Sequence, residues 1–258
     1  ILPAEDDEAA AELSKAFRKR GVKIHTGTKV QSVQKTENGV EVQIAVEKGE
    51  ATLTAETVLV AVGFKPNSSN IGLEKVGVAV DPRGFVQIDE RMATNIPGIW
   101  AIGDVTGKLL LAHTASTMGT ICAEVIAGLP ARKLDYRMIP RATYTQPQVA
   151  SFGYTEKQAQ EAGYNVRTGK FPFMANGKAL GYGESTGYIK IVIDENNNQL
   201  LGASLVGADV SELLPELTLA QANGLPVDVI AQNIHAHPTL SEVLMEAAEA
   251  AVGFAIHL

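Results

Sequence analysis

Cysteine is almost absent from this sequence, and its scarcity excludes several kinds of chemistry. The 258 residues contain a single cysteine, Cys122. No disulfide can therefore form within the chain, and no C-x-x-C redox or metal motif is present. Cys122 lies among Ile121, Val125 and Ile126 in a helical pattern, which favours a buried, unreactive thiol over a nucleophile. This cysteine usage is typical of a reducing compartment, and we expect the protein to be cytoplasmic.

Glycine-rich phosphate-binding loops and long apolar runs are also missing. The chain contains neither G-x-G-x-x-G nor a P-loop, although it has 24 glycines. The segment "GYGESTG" (181–187) lacks glycine at position 186, and we interpret it as a turn. No apolar run reaches the roughly 20 residues that span a bilayer. The net charge of -7 argues against a nucleic-acid or anionic-membrane surface.

The first 57 residues carry patterns that predict a helix and an antiparallel meander. Residues 6–20 fit a helix that Asp6 or Asp7 can cap. The segment "VEVQIAV" (40–46) alternates apolar and polar residues, as a strand with one solvated face does. Turn signals flank it, with "ENG" before it and "EKGE" after it. We therefore expect residues 28–57 to form an antiparallel meander.

Two later segments are apolar at nearly every position: "TVLVAVG" (57–63) and "GIWAIGD" (98–104). This pattern is typical of parallel strands that are covered on both faces. In open α/β sheets, ligands bind beyond the carboxyl ends of such strands, where glycine lets the backbone come close. Gly63 and the pair Gly103–Asp104 are therefore candidates for cofactor contact. Ordinary strand-to-loop turns explain the same residues about equally well.

The second half of the chain has a different organisation. A helical pattern over 112–126 ends at Gly128, and we place a domain boundary near Leu134. Beyond it, "TEKQ" (155–158) is a capping box that opens a short helix. The remaining patterns predict a hairpin of 187–194 with 199–207 and helices within 209–224, 226–234 and 239–256. This half is therefore expected to be an α+β unit with helices on one side of antiparallel strands.

The segment "HAHPTLSE" (235–242) supports two interpretations that the residues alone leave open. Thr239-x-x-Glu242 is a capping box, in which Glu242 reaches back to the Thr239 amide and the histidines are bystanders. His237 lies two residues before Thr239, so Glu242 can equally hydrogen-bond its imidazole. A carboxylate on one ring nitrogen fixes the tautomer and favours the protonated form, as in proton-transfer sites.

Four segments together resemble the pyridine nucleotide–disulfide oxidoreductase family in their order and spacing. They are "TVLVAVGFKPN" (57–67), "TNIPGIWAIGDVTGKLLLAH" (94–113), "RATYTQPQVASFGYTE" (141–156) and "HAHPTLSE" (235–242). The resemblance covers essentially the whole chain and implies a flavoprotein that uses FAD and NAD. The histidine-containing segment looks more like the members that oxidise dihydrolipoamide to lipoamide than like glutathione reductase, which shares the general plan.

The resemblance also implies a fold of mixed α/β and α+β class. The end of a Rossmann-like NAD domain and a central FAD-contacting segment precede an α+β interface, or dimerisation, domain. We place these three parts at residues 1–65, 66–134 and 135–258. The match begins partway through the family's layout. We therefore expect the FAD-binding loop, the redox cysteine pair and the NAD-binding loop to precede Ile1 in a longer parent.

The resemblance implies cofactor contacts for residues that match the family's motifs. Asp104 would accept a hydrogen bond from the ribityl or adjacent hydroxyls of FAD. The flavin ring would be lined, largely by backbone, by Leu110, Leu111, Ala112 and His113. NAD would be approached by the backbone of Val30 and Gly63. A surface or capping role is an alternative for His113. Phe64 and Thr114 depart from the family, which usually has arginine and a basic residue at these positions.

In the family, the histidine and glutamate of the last motif form a base dyad. The resemblance thus favours His237 as the base, Glu242 as its orienting partner and His235 as a structural neighbour. His237–Pro238 is a candidate cis peptide bond, since X–Pro is the common cis site. The family's dyad serves the active site of the other subunit, so a homodimer would be part of the mechanism.

These implications define the expected function and its alternatives. The parent would be an NAD-dependent enzyme whose partner is the lipoyl domain of a 2-oxo acid dehydrogenase or glycine-cleavage complex. The 258-residue chain by itself is expected to bind FAD weakly or not at all and to be inactive. A glutathione-reductase-like enzyme and an isolated, non-catalytic dimerisation module are the alternatives.

Overall fold

A computed structural model describes residues 1–46 and 49–257, which pack as two units. The larger unit comprises Ile1–Thr26 with Arg137–Leu258, and the smaller unit comprises Gly27–Tyr136. The turn expected at "EKGE" includes positions 47 and 48, which lie outside the described residues. None of the helices in the described part of the chain has both the length and the apolar character needed to cross a bilayer. The mixed α/β fold class is confirmed. The domain boundaries after residues 65 and 134 stay a prediction.

The smaller unit contains the predicted meander. Its helices and strands are β1 (Lys29–Thr36), β2 (Gly39–Val46), β3 (Gly49–Ala55), α2 (Leu73–Val76) and α3 (Ala112–Ile126). The three strands form one antiparallel sheet in chain order, which confirms the expectation for residues 28–57. Helix α3 packs a core of Met118, Ile121 and Cys122 with Met92. Burial raises the pKa of the Cys122 thiol, in agreement with the expected buried position.

The prediction of two parallel strands in this unit is wrong. Residues 57–63 form no strand, and the Val62 side chain is 93% exposed. Residues 98–104 contribute only an isolated antiparallel bridge and the beginning of a 3-10 turn at Gly103–Thr106. A strand is held by hydrogen bonds to a neighbouring strand. No strand of either described sheet pairs with these segments, so their apolar sequence is not sufficient to make them strands.

The larger unit is built on a five-stranded antiparallel sheet in the order β4-β5-β8-β7-β6. Its strands are β4 (Arg141–Thr143), β5 (Gln148–Gly153), β6 (Val166–Pro172), β7 (Tyr188–Asp194) and β8 (Gln199–Gly207). Its helices are α1 (Asp7–Lys19), α4 (Glu156–Glu161), α5 (Gly177–Tyr182), α6 (Leu214–Ala222), α7 (Val227–Ala231) and α8 (Glu242–Val252). The predicted hairpin, β7 with β8, is buried along nearly all its length and forms the centre of the sheet.

The helix caps that the sequence predicts for α1 and α4 are present. The side chain of Asp6 accepts a hydrogen bond from the Glu8 amide, at 3.0 Å, and so caps α1. Thr155 and Gln158 form a complete capping box at the start of α4, with bonds of 3.2 and 3.0 Å. These local signals place both helices correctly because each cap is satisfied within three residues of the chain.

Helix α8 lies unusually close to strand β6. Gly169 of β6 faces α8, and a Cβ atom added there would be only 2.1 Å from the Ala247 carbonyl oxygen. It would also be 2.3 Å from the Ala251 amide nitrogen. Any side chain at Gly169 would therefore push α8 away from the sheet. Since Glu242 is the first residue of α8, this close contact helps to place that carboxylate.

A buried lysine links α1 and α4 to the centre of the sheet, and the sequence analysis did not predict it. The Lys190 side chain in β7 is 5% exposed. Its Nζ lies 2.5 Å from a Glu8 oxygen, 2.7 Å from a Glu156 oxygen and 3.4 Å from an Asp6 oxygen. Burial alone would lower the pKa of Lys190, but these carboxylates outweigh it and raise the pKa above its ordinary value.

Candidate functional site

Residues 235–241 form a loop, the dyad loop, that leads to Glu242, the first residue of helix α8, and brings the predicted dyad together. Nδ1 of His237 is 2.8 Å from Oε1 of Glu242. The other carboxylate oxygen of Glu242 accepts the Thr239 amide proton, at 2.7 Å. Glu242 therefore contacts the imidazole and the backbone at the same time. Both hydrogen bonds that the sequence suggests for Glu242 are therefore present.

The capping box expected at this helix is only half formed. Helix α8 begins at Glu242 rather than directly after Thr239, and its cap residue, Ser241, makes no side-chain cap bond. The Thr239 hydroxyl donates instead to the Ala236 carbonyl oxygen, at 2.7 Å. The bond from Glu242 to the Thr239 amide is the half that exists. The His237–Pro238 peptide bond is cis, as predicted.

The electrostatics of the dyad define which ring nitrogen can exchange a proton. Burial would raise the pKa of Glu242, but the bonds from the Thr239 amide and from His237 outweigh it and lower the pKa below its ordinary value. The carboxylate is therefore charged at neutral pH and only accepts hydrogen bonds. Nδ1 of neutral His237 must then carry the proton, and Nε2 carries the lone pair. The His237 side chain is 78% exposed, so Nε2 is accessible to a substrate.

His235 has a different environment, which agrees with its expected structural role. Its side chain is 4% exposed, and Nε2 lies 3.0 Å from an oxygen of Glu216 in α6. Nδ1 lies 3.0 Å from the Asn233 carbonyl oxygen. The sequence analysis did not identify Glu216. Its signal was available, because Glu216 is the single charged residue in the otherwise neutral stretch "LLPELTLAQA" (213–222).

Asn176 is a second residue that the sequence analysis missed. It is 6% exposed and precedes helix α5. Its amide nitrogen donates to the Thr239 carbonyl oxygen, at 3.0 Å, and its oxygen accepts the Ala179 amide proton, at 2.9 Å. Asn176 is 63 residues from Thr239 in the chain. Only the local cap was therefore visible in the sequence, and the contact with the loop was not.

The residues predicted to contact FAD meet at the amino-terminal end of α3. Asp104 lies in the 3-10 turn and is exposed. This turn packs on α3, since a Cβ atom added at Gly103 would be 3.1 Å from the Ala115 side chain. The other four predicted residues surround the same helix end. They are the half-buried Leu110 and Leu111 and the exposed Ala112 and His113.

The chemistry of this helix end fits a flavin. No side chain of the described residues caps α3 at Leu111, so the partial positive charge of the helix end is not neutralised there. The buried hydroxyl of Thr114 has no hydrogen-bond partner within the described part of the chain. Amide donors, this hydroxyl and the Asp104 carboxylate together match the donors and acceptors of a flavin ring and its hydroxyl-bearing tail.

The two residues predicted to approach NAD are both exposed. Val30, in β1, is 56% exposed. Gly63 has φ +126 and no atom within 4 Å of an added Cβ, so its backbone is open to a ligand. Their role stays a prediction. Within residues 1–46 and 49–257, no group of three or more His, Cys, Asp or Glu side chains is placed to hold a metal ion.

Two family models match the chain. The model for the pyridine nucleotide-disulphide oxidoreductase matches residues 1–119, and that for the pyridine nucleotide-disulphide oxidoreductase dimerisation domain matches residues 139–248. The chain is 51% identical to a dihydrolipoyl dehydrogenase of Mycobacterium leprae, over 99% of this chain and 55% of the relative. It is 47% identical to that of Corynebacterium glutamicum, over 100% of this chain and 56% of the relative. The chain thus spans about half the length of the curated relatives it matches.

Solved structures give the same relationship. LpdA from Mycobacterium tuberculosis matches with a TM-score of 0.89 and 30% identity, over 96% of this chain and 53% of that chain. The HOCl-induced flavoprotein disulfide reductase RclA from Escherichia coli matches with a TM-score of 0.88 and 30% identity, over 96% of this chain and 56% of that chain. Both similarities extend over nearly the whole of this chain.

Proposed function

The chain belongs to the pyridine nucleotide-disulphide oxidoreductase family, and we propose that its full-length parent oxidises dihydrolipoamide to lipoamide with FAD and NAD. The observation that carries this proposal is the His237–Glu242 pair at 2.8 Å, with the imidazole exposed to an incoming substrate. The curated relatives named above are dihydrolipoyl dehydrogenases, which supports the substrate class.

His237 would act as the general base on the dithiol substrate. Its Nε2 takes the proton of a dihydrolipoamide thiol, and the thiolate is the reactive nucleophile. The imidazolium that forms lies against the charged Glu242, which stabilises it. Glu242 is itself fixed by the Thr239 amide, so the ring is held in one orientation. His237 thus provides the base for the proton transfer, and Glu242 provides the carboxylate that orients it.

The α3 end would hold the flavin. Bound FAD supplies the two-electron carrier between the dithiol and NAD. Asp104 would accept from its hydroxyl groups, and Leu110, Leu111, Ala112 and His113 would line the ring. Val30 and Gly63 would approach NAD through their backbones. Absorbance of the purified 258-residue chain checks the expectation that it holds FAD weakly or not at all, which a stoichiometric flavin spectrum would contradict.

The match to a dimerisation domain supports the proposed homodimer. That family model matches residues 139–248, which include the dyad loop. We propose that the parent is a homodimer formed through residues 135–258, with each dyad serving the active site of the other subunit. The macromolecular substrate would be the lipoyl domain of a 2-oxo acid dehydrogenase or glycine-cleavage complex.

Replacement of His237 tests the catalytic proposal in the full-length parent. His237→Gln keeps a hydrogen-bonding side chain but removes the base, so dihydrolipoamide turnover should fall by about 10²–10⁴-fold. Reduction of a dye by NADH should be unchanged, since it does not need a proton taken from a thiol. Glu242→Gln should lower turnover less, because it loosens the ring without removing it. Steady-state rates of both reactions make the comparison.

The matched control is His257→Gln. His257 lies beyond the end of α8 and is also exposed, at 67%, and its Nδ1 lies 2.5 Å from Glu246 of α8. It should keep both rates. Wild-type dihydrolipoamide turnover in His237→Gln would refute the proposal. Reduction of glutathione disulfide by a reduced nicotinamide nucleotide, measured on the same variants, tests the glutathione-reductase-like alternative.

A further inference from the structure

Asn176 joins the dyad loop to a helix that carries no residue of the proposed site. Its side chain is buried, at 6% exposed, and both ends of its amide are used. The nitrogen donates to the Thr239 carbonyl oxygen, and the oxygen accepts from the Ala179 amide at the start of α5. A buried amide that lost either bond would leave a polar group unsatisfied, which costs stability. The position of Thr239 relative to α5 is therefore fixed.

Thr239 is held from two sides. Its amide N–H donates to Glu242 of α8, and its carbonyl oxygen accepts from Asn176. Pro238 has no N–H. Thr239 is thus the first residue after His237 whose amide can anchor the loop. The peptide groups that follow His237 are clamped between two helices by one carboxylate and one amide.

We propose that Asn176 is a positioning residue, which acts through Thr239 to hold His237 where it can take the substrate proton. This inference rests on the proposed function of His237. Glu242 fixes the orientation of the ring, while Asn176 fixes the backbone that carries it. Misplacement of a catalytic group by about 1 Å can lower a rate by roughly 100-fold, so this anchor affects the reaction without contacting the substrate.

Asn176→Asp separates positioning from capping. A carboxylate at this position can still accept from the Ala179 amide and cap α5. It cannot donate to the Thr239 carbonyl oxygen, and it places two acceptors against each other. Asn176→Ser is the second variant: serine is a good cap, but its hydroxyl is too short to reach Thr239. It keeps the test decisive if the aspartate variant does not fold.

The control variant is Thr155→Ala. Thr155 caps α4, so its loss removes a helix cap of the same kind without touching the loop. All variants are made in the full-length parent, and dihydrolipoamide turnover is measured beside NADH-dependent dye reduction. Asn176→Asp and Asn176→Ser should lower kcat with dihydrolipoamide by about 10- to 100-fold and spare dye reduction. Thr155→Ala should spare both reactions.

A double variant shows whether Asn176 acts through His237. In the His237→Gln background, Asn176→Asp should cause no further loss, because the group that it positions is gone. Wild-type turnover in Asn176→Asp, an equal fall of both reactions, or an additive loss in the double variant would each overturn the inference. If His237→Gln itself keeps wild-type turnover, the proposed function fails, and this result is distinct from a failure confined to Asn176.

Discussion

Lys190 shows how a single buried charge can hold several parts of a unit. It is the cation that Asp6, Glu8 and Glu156 share, and its own side chain is 5% exposed. Removing it leaves the buried carboxylate of Asp6 without its partner, which is more costly than losing a surface pair. The hydrogen bonds from Lys170 and Lys190 also lower the pKa of Glu8.

We expect Lys190→Met to lower the free energy of unfolding by on the order of 3 kcal/mol. Lys170→Met is the control. Lys170 is 43% exposed and contacts the same Glu8, so its loss should cost less than about 1 kcal/mol. Urea unfolding of the chain measures both. Equal losses in the two variants would show that burial of Lys190 is not what matters.

The Glu242 carboxyl makes part of the stability dependent on pH. Its pKa in the folded chain is lower than its ordinary value of 4.5. The charged form is therefore favoured by folding, and its stabilisation is complete above 4.5 and lost as pH falls through the folded pKa. The unfolding free energy of the wild type minus that of Glu242→Gln should therefore shrink as the pH falls below 4.5. A difference in unfolding free energy that grows as the pH falls below 4.5 would contradict this sign.

Helix α8 and strand β6 are the elements whose contact places the dyad carboxylate. We expect Gly169→Ala to push α8 outward, at a cost of about 1–3 kcal/mol in unfolding free energy. It should also lower dihydrolipoamide turnover of the parent, since Glu242 begins this helix. Gly181→Ala in α5 is the control, because nothing lies within 4 Å of its added Cβ. Denaturation and dihydrolipoamide turnover are measured on both variants. Full turnover in Gly169→Ala would show that Glu242 does not move with α8.

Elements with local signals could be predicted from the sequence, and those that depend on distant partners could not. The caps of α1 and α4 and the hairpin β7–β8 are specified within a few residues. By contrast, 57–63 and 98–104 have the composition of strands but no neighbouring strand among the described residues. Apolar composition describes the environment that a segment suits, while the hydrogen bonds that make a strand come from elsewhere.

The candidate site shows the same division. The sequence suggested the hydrogen bond between His237 and Glu242 because the two residues are five positions apart, and the resemblance to the family favoured it over a capping box alone. The contacts of Asn176 with Thr239 and of Glu216 with His235 span 63 and 19 residues, so even the isolated charge of Glu216 does not indicate its partner. A buried polar side chain needs a partner, but the sequence does not say which one. The supporting contacts of a site are therefore harder to predict from the sequence than its reactive groups.

Apolar side chains are exposed beside the dyad loop. Ile234 precedes His235 and is 94% exposed, and Leu219 of α6 is 66% exposed. Their segments are joined, because Asn233 donates to Glu216 of α6 at 3.0 Å. Exposed apolar side chains at such a position suit a protein interface, and a stable dimer usually buries more than about 2,000 Å².

We therefore expect Ile234→Asp to shift the proposed homodimer towards monomer. A charge placed in the centre of an interface is desolvated without a partner, which weakens association. Val62→Asp is the control, since Val62 is 93% exposed but lies outside residues 135–258. Sedimentation of the full-length parent at micromolar concentration measures the fractions of monomer and dimer. A dimer as stable in Ile234→Asp as in the wild type would place the interface elsewhere.

The exposed run at 57–64 has a consequence for how the 258-residue chain behaves in solution. "TVLVAVGF" combines β-branched residues with no charge and no proline, which is the composition of segments that stack into cross-β fibrils. Leu59, Val62 and Phe64 are each more than four-fifths exposed, at 89%, 93% and 81%. Copies of this segment can therefore pair edge to edge with one another. We therefore expect Val60→Lys to raise the solubility of the chain, because a charge within such a segment acts as a gatekeeper against its self-association.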